Sequence, residues 1–370
     1  MSRLEQLIQQ HCPDGVEYKE VQEVAKTTSP KGKLKSNDYL KEGKYPVIDQ
    51  GQSFIGGYTN EEIAFEQGEY VIFGDHTCVV KYVNFSFVQG ADGVKVITAS
   101  DVILPRFLYY CMSNIYMPAD YARHWSKMKV EKIPVPPLPV QEEIVRILDN
   151  FAELQAELQA ELQKRLQQYN YYRDKLLSFN DLNGGGYAVS VEWKKLEECC
   201  LIWDNKRKPI TKGARVAGEY PYYGANGVQD YVADYIFDGK YVLVGEDGSV
   251  ITPSGTPVVN WAEGKIWVNN HAHIISEKEG VLLRYLFHYL QTINISPLIH
   301  GNIPKLTGGD FRALNIPVPP LAEQKRIVDI LDRFHGITTD ITAGLPAEIE
   351  ARRKQYEYYR DQLLTFKQKA

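Results

Sequence analysis

A chain of 370 residues is too long for one ordinary hydrophobic core and suits two domains. Hydrophobic residues make up 44% and charged residues 24%, the balance of a soluble globular protein, and no apolar run approaches the roughly 20 residues of a membrane span. The net charge of −5 argues in bulk against a nucleic-acid binder, so any such role must rest on local clusters of positive charge.

MSRLEQLIQQ at the start has no apolar signal core, so a cytoplasmic protein is expected. The five cysteines form no C-x-x-C pair, which fits a reducing compartment without a disulfide framework or zinc site. Short alternating runs follow. EYVIF (Glu69 to Phe73), CVVKYVNF (Cys78 to Phe85), KYVLV (Lys240 to Val244) and KIWVNN (Lys265 to Asn270) read as strands between Gly- and Asn-rich turns. A helical patch comes after each set of strands, at Pro105 to Tyr116 and at Val281 to Ile293. IPVPPL (Ile133 to Leu138) cannot be helical, because its prolines remove donors and extend the residues before them. From Gln141, apolar residues at Ile144, Ile147, Leu148, Phe151, Leu154, Leu158, Leu162, Leu166, Tyr169, Tyr172 and Leu176 keep to one face, which predicts a helix to about Phe179. A second helix is expected from Glu323 to Phe366, kinked at Gly344-Leu345-Pro346 and packed antiparallel on the first.

The chain repeats itself. KIPVPPLPVQEEIVRILDNF from Lys132 and NIPVPPLAEQKRIVDILDRF from Asn315 agree at 13 of 20 positions. YNYYRDKLLSF from Tyr169 matches YEYYRDQLLTF from Tyr356, and GVEYKEV from Gly15 is echoed by SVEWKKL from Ser190. Tyr45-Pro46 pairs with Tyr220-Pro221, and GEYVIFGD from Gly68 with GKYVLVGED from Gly239. The order is the same in both halves, so the chain is a tandem duplication of a head plus a helical connector. Its unit is far longer than the ~20–50 residues of a solenoid repeat.

The order IPVPPL-x-x-Q-x-x-I-V-x-I-L-D-x-F, then Y-x-Y-Y-R-D-x-L-L, resembles the specificity subunits of type I restriction–modification systems. YPYYGANGVQDYV (from Tyr220) and GKIWVNNHAHII (from Gly264) in the second head, and YPVIDQGQSFIGGYT (from Tyr45) in the first, are similar to that family's target recognition domains. The resemblance covers nearly the whole chain. It implies an α+β fold: two mixed, β-rich target recognition domains separated by a pair of long antiparallel coiled-coil helices, with pseudo-twofold symmetry. The expected segments are recognition domain 1–138, spacer helix 139–183, recognition domain 184–321 and spacer helix 322–370. The resemblance further implies that each head binds half of a bipartite double-stranded DNA site. The rod would set the spacing and dock two methyltransferase subunits, and restriction motor–nuclease subunits would join. S-adenosylmethionine, ATP and magnesium would belong to those partners and not to this chain.

The residues add candidates of their own. Phosphate contacts come from cationic loops, which points to Lys206, Arg207, Lys208, Lys212 and Arg215 in one head and Lys31, Lys33 and Lys35 in the other. Base edges are read by amides, acids and donors beside turns. The candidates are Asp49, Gln50, Asp75, His76, Thr77 and Lys81 in the first head, and Asn226, Glu246, Asp247, Asn269, Asn270 and His271 in the second. For the last group, turn chemistry and a buried hydrogen-bond network compete as explanations. The twice-written YYRD offers Tyr171, Tyr172 and Arg173 with Tyr358, Tyr359 and Arg360 as matched docking patches for two copies of one partner; the alternative is that these tyrosines only seal the helix pair. AELQ occurs three times in tandem from Ala152 to Gln163, a run of strong helix formers whose repeat number is also suited to setting a spacing.

No G-x-x-x-x-G-K-[ST] or Asn-Pro-Pro-Tyr-like motif is present, and His271-x-His273 lacks a convincing third metal ligand. A binding subunit without chemistry of its own is expected. The rival reading is a paired-head scaffold that does not read DNA.

Overall fold

The computed structural model describes residues 2–90, 93–118, 122–179, 190–299, 302–339 and 343–369. The chain forms two compact units, Met1–Gln159 with Ile349–Ala370, and Ala160–Glu348. The expected boundary at 183/184 lies outside the described residues.

In the first unit a four-stranded antiparallel sheet runs Ala25–Thr28, Val94–Ala99, Tyr70–Gly74, Val80–Val83 in spatial order. A smaller sheet runs Gly57–Thr59, Tyr45–Ile48, Val88–Gln89, its last pairing parallel. The second unit builds the same layout as one six-stranded sheet. Its strand Val259–Val268 does the work of both Val80–Val83 and Val88–Gln89, pairing antiparallel with Phe237–Gly245 and parallel with Ala217–Gly224. Head helices Pro105–Ser113 and Leu283–Leu290 pack their apolar faces on the sheets, and both are shorter than the sequence patches suggest. The sequence reading also misses the helix Arg3–His11, which a Ser2/Glu5 capping box starts.

The Pro-rich string is a strand followed by a helix start. Lys132–Val135 pairs antiparallel with Glu17–Glu20, and Asn315–Val318 with Glu192–Lys195. So the two twice-written motifs, GVEYKEV/SVEWKKL and IPVPPL, are the two strands of one ribbon. Helix begins at Leu138 and continues for 40 residues to Leu177, about 60 Å of rise. Residues to Gln159 belong to the first unit and those from Ala160 to the second.

In the first unit this helix meets Leu345–Leu363 in reversed order. Phe151 stacks on Tyr359 at 5.6 Å and meets Tyr356, while the fully buried Ile144 and Leu148 cluster with Leu363 and Leu364. In the second unit, Tyr172 stacks on Phe334 at 5.5 Å, and Leu176 and Leu177 cluster with Ile327 and Leu331 of Leu321–Thr339. Both pairings are antiparallel. Each fully buried Leu or Ile contributes roughly 1.5–3 kcal/mol. Where the sequence predicts one kinked helix, two are described, Leu321–Thr339 and Leu345–Leu363, with Ala343 and Gly344 outside both. The chain is an α+β protein of two β-rich heads with paired antiparallel helices, built twice on one plan.

A buried glutamine locks each head to its helix. Gln141 is fully buried; its Nε2 donates to the carbonyls of Pro136 (2.7 Å) and Val102 (2.9 Å), and its Oε1 accepts from the Leu104 N–H (2.8 Å). Gln324 does the same with Pro319 (2.8 Å), Gly280 (3.1 Å) and the Leu282 N–H (2.9 Å). Beside each lock sits an ion pair, Arg106 to Asp149 and Arg284 to Asp332, both 2.7–2.8 Å, with the guanidinium over aromatic rings.

The halves differ next to that ion pair. Where the first has Tyr110 and Ala152, the second has His288 and His335. Burial, with Arg284 and His288 nearby, pushes His335 down to about 4.

Two outcomes follow. Gln141→Leu leaves the Leu104 N–H and two carbonyls unpaired, a loss of about 2–4 kcal/mol. Hydrogen exchange should rise in Pro105–Ser113 and stay unchanged in Leu283–Leu290; equal change in both helices would refute the lock. For His335, the folded pKa lies below the unfolded value of about 6.5, so the unfolded chain binds more protons between the two values. Stability is therefore full above about pH 6.5 and lost as pH falls towards 4. His335→Ala should flatten that loss in urea titrations at pH 7 and pH 5.

Candidate nucleic-acid interface

The two basic loops occupy the same place in the two heads. In the first, the Leu34 N–H donates to the carbonyl of Gln89 (3.1 Å), beside exposed Lys31, Lys33 and Lys35. In the second, the Lys208 N–H donates to the carbonyl of Val268 (3.2 Å). Gln89 and Val268 are equivalent, since Ile48↔Gln89 and Tyr223↔Val268 are the matching parallel pairs. Lys206, Lys208 and Lys212 are exposed, with the Lys206 ammonium 4.4 Å from the Trp203 ring centre.

Arg207 and Arg215 are corrected from phosphate contacts to struts. Arg207 keeps only 12% of its side chain exposed; it donates to Glu246 (2.5 Å), to the Ala272 carbonyl (2.7 Å) and to the Asp204 carbonyl. Arg215 is paired with Asp230 (3.2 Å) and lies 4.2 Å over the Tyr222 ring. Both guanidiniums are engaged with their own head.

Beside each basic loop, the same elements form a polar rim. In the second head the turn at Ala225-Asn226, the loop after Phe237–Gly245 and the start of Ala272–Glu277 surround a concavity of about 560 Å³. Asn226, Asp247 and His271 line it. Exposed Asn270 adjoins His271. Among the further lining residues that the sequence reading missed are Gln229, Ile303 and Lys305. They come from a strand edge and an irregular stretch with no periodic signal, and only backbone pairing brings the latter here: the Gly248 N–H donates to the Pro304 carbonyl (3.0 Å) and the Leu306 N–H to the Glu246 carbonyl (2.8 Å).

In the first head, Gln50, His76 and Thr77 gather at the equivalent rim. Gln50 Oε1 accepts from the His76 N–H (3.2 Å), and Thr77 Oγ1 donates to the Gln50 carbonyl (2.6 Å). Gly93 takes the place of His271, as each carbonyl accepts from the first residue of the matching loop, Asp75 or Glu246. With φ at +87° it leaves the room that Gln50 and His76 fill; a Cβ there would meet Gln50 at 2.8 Å.

Other predicted base readers are withdrawn into the heads. Asp75 is buried and accepts from the Trp125 N–H (2.7 Å). Lys81 is buried and donates to the carbonyls of Asp49 (2.8 Å) and Ser53 (2.6 Å). Burial lowers its ammonium pKa against the opposing pull of Asp49. Asp49 itself accepts from the Gly51 N–H (2.9 Å) and faces Lys81 at 3.7 Å, so it braces the turn. Asn269 is buried; its Oδ1 accepts from the His271 N–H (2.8 Å). Glu246 is ion-paired with Arg207 and, at 3.5 Å, with Lys305. These groups are engaged in holding the rim.

Among the described residues, Asp204, Glu246 and His273 bring three potential ligand atoms within 4.8 Å. The Arg207 guanidinium already supplies the positive charge an ion would bring. Burial raises the Asp204 carboxyl, but hydrogen bonds from His273 and the Ile274 N–H, with Arg207 near, leave it below the usual range.

On the paired helices the two YYRD copies match. Tyr171 and Tyr358 are 60% and 61% exposed, Tyr172 and Tyr359 both 41%, and the ring pairs sit at 5.3 and 5.4 Å. Tyr172 and Tyr359 stack inward and so do help to seal the helices; Tyr171 and Tyr358 face out. Arg173 and Arg360 each pair with the next aspartate at 2.9 Å.

The family model for the type I restriction modification DNA specificity domain matches this chain twice, over residues 13–168 and 189–351. The chain belongs to the specificity subunits of type I restriction–modification systems. It is 32% identical to the EcoR124I/EcoR124II specificity subunit of Escherichia coli, over 99% of this chain and 97% of the relative. A putative specificity subunit of Haemophilus influenzae, S.HindORF215P, is 43% identical over 47% of this chain and 46% of its own. The crystal structure of the S subunit from M. genitalium shares the fold, with a TM-score of 0.62 at 16% identity over 94% and 95% of the two chains. The two matched segments each contain one head, so this specificity subunit carries two DNA recognition domains, and no described helix is long and apolar enough to cross a membrane.

Lys81→Met tests the bracing role. It should destabilise the first head by about 2–3 kcal/mol, as two carbonyls lose a charged donor. The DNA sequence selected by folded protein should stay the same; an altered sequence with unaltered melting would restore Lys81 as a reader.

Proposed function

We propose that this chain is the non-catalytic DNA-reading subunit of its restriction–modification complex. Each head reads one half of a bipartite double-stranded site. The helices set the distance between half-sites and dock two methyltransferase subunits, which motor–nuclease subunits then join. S-adenosylmethionine, ATP and magnesium are used by those partners.

The observation that supports this most is the matched pair of interfaces. Two exposed lysine loops sit at one topological position in two heads, each next to a polar rim of different composition. Lysines supply sequence-independent attraction to phosphates, and rim side chains supply sequence. Different rims on one scaffold are what two unlike half-sites require. The matched outward tyrosines Tyr171 and Tyr358 suit two copies of one partner.

The AELQ run supports the spacing role. None of Ala152 to Gln163 is fully buried, whereas both flanks of the helix carry core residues. Strong helix formers support this stretch and no fully buried side chain is seated in it, so units can be added or removed without breaking a core. One unit adds about 6 Å and overshoots a turn by about 40°, against about 3.4 Å per base pair of DNA.

The test is methylome sequencing of a plasmid from cells making the methyltransferase subunit with and without this chain. A split motif with a fixed gap, present only with the chain, is expected. Deleting Ala156–Gln159 should shorten the gap by one or two base pairs and keep both halves. Methylation indifferent to this chain, in a complex shown to assemble, would favour the scaffold without DNA readout.

A further inference from the structure

We infer that His271, aimed by Asp247, is a specificity-determining residue of the second head, accepting a hydrogen bond from an exocyclic amino group in the major groove, with Ile303 beside it for a thymine methyl. This rests on the DNA-reading role proposed above and names the chemistry of one rim.

The imidazole is held from both sides. Its backbone N–H is bonded to buried Asn269 (2.8 Å), and its carbonyl accepts from the Glu246 N–H (2.8 Å). Nδ1 is hydrogen-bonded to the Asp247 carboxylate. A carboxylate only accepts, so Nδ1 carries the proton. In the neutral ring Nε2 is then an acceptor, and among the described residues nothing bonds it. The ring remains 48% exposed at the edge of the concavity. A fixed acceptor there fits adenine N6 or cytosine N4, the amino donors of the major groove.

Asp247 is itself fixed. Its backbone bridges to Lys305, and the Gly248 N–H is bonded to Pro304. That bridge brings Ile303 to the same concavity with 69% of its surface exposed. An apolar side chain left so open contributes nothing to the head's core, while the thymine methyl is the apolar mark of the major groove. The first head lacks the His–Asp pair at these positions, since Gly93 stands in place of His271 and His76 in place of Asp247. The pair therefore belongs to one half-site only.

The experiment is methylome sequencing of a plasmid carrying a randomised-site library, with the chain co-expressed with its methyltransferase subunit. Wild type, His271→Ala, His271→Gln, Asp247→Ala and Ile303→Ala are compared, with assembly checked for each. His271→Ala should relax preference at one position of one half-site by about tenfold, leaving the other half-site and the gap unchanged. Glutamine, which keeps an acceptor, should restore part of the preference. Asp247→Ala should relax the same position. Ile303→Ala should relax preference for a T-containing pair at or next to it. An A or C at the relaxed position supports the assignment; G or T there overturns it. An unchanged motif with His271→Ala also overturns it, as does loss of both half-sites in an assembled complex. If wild type gives no chain-dependent motif, the DNA-reading role fails first and this inference with it.

Discussion

Everything in each half hangs on one buried amide. A glutamine side chain has two donors and an acceptor with two lone pairs, and burial makes any left unmet costly. Gln141 and Gln324 spend them alike, on the Pro-Pro carbonyl at the end of the ribbon, on a loop carbonyl, and on the N–H that opens the head helix. Head, ribbon and long helix are thereby fixed to one another at a point where the prolines cannot donate. The start of the helix is fixed by these hydrogen bonds, and the buried Ile144 and Leu148, or Ile327 and Leu331, pack it on the head.

That rigidity separates two kinds of surface. The ribbon, the lock and the helix faces are built of the same residues twice, and the matched exposures of the two YYRD copies show how closely the construction repeats. The rims are built on equivalent backbone positions with different side chains. Lys95 lies 3.9 Å from Asp75 in the first head where His273 lies 3.5 Å from Glu246 in the second. A basic side chain set beside an acid braces both rims, although the residue types differ. A duplicated fold can thus vary the side chains of its rims while keeping the shared helix faces constant.

The bracing also explains why an acidic protein can present basic loops. Asp204 and Glu246 are turned inward against Arg207, and Asp230 is paired with Arg215, while Lys206, Lys208 and Lys212 are left outside. Net charge counts both sets equally, whereas the exposed surface of these loops presents the second.

The sequence by itself determined the duplication, the strand-rich heads, the helix from the Pro-rich string and the antiparallel pairing, because periodicity and repetition are local properties that survive without coordinates. It also pointed to loops, since glycines, amides and lysines cluster where turns must be. What it left undecided was which side chains in those loops face outward. Asp75, Lys81 and Asn269 look as available as His76, Lys35 and Asn270 when written in a line. The tertiary structure alone buries the first three, by closing backbone amides and carbonyls over them. Ile303 and Lys305 reach the second rim through a backbone bridge some 58 residues from Asp247, a long-range pairing that no local pattern announces. Likewise the run Gly344-Leu345-Pro346 reads in the sequence as a kink, where the structure describes one helix ending at Thr339 and another starting at Leu345.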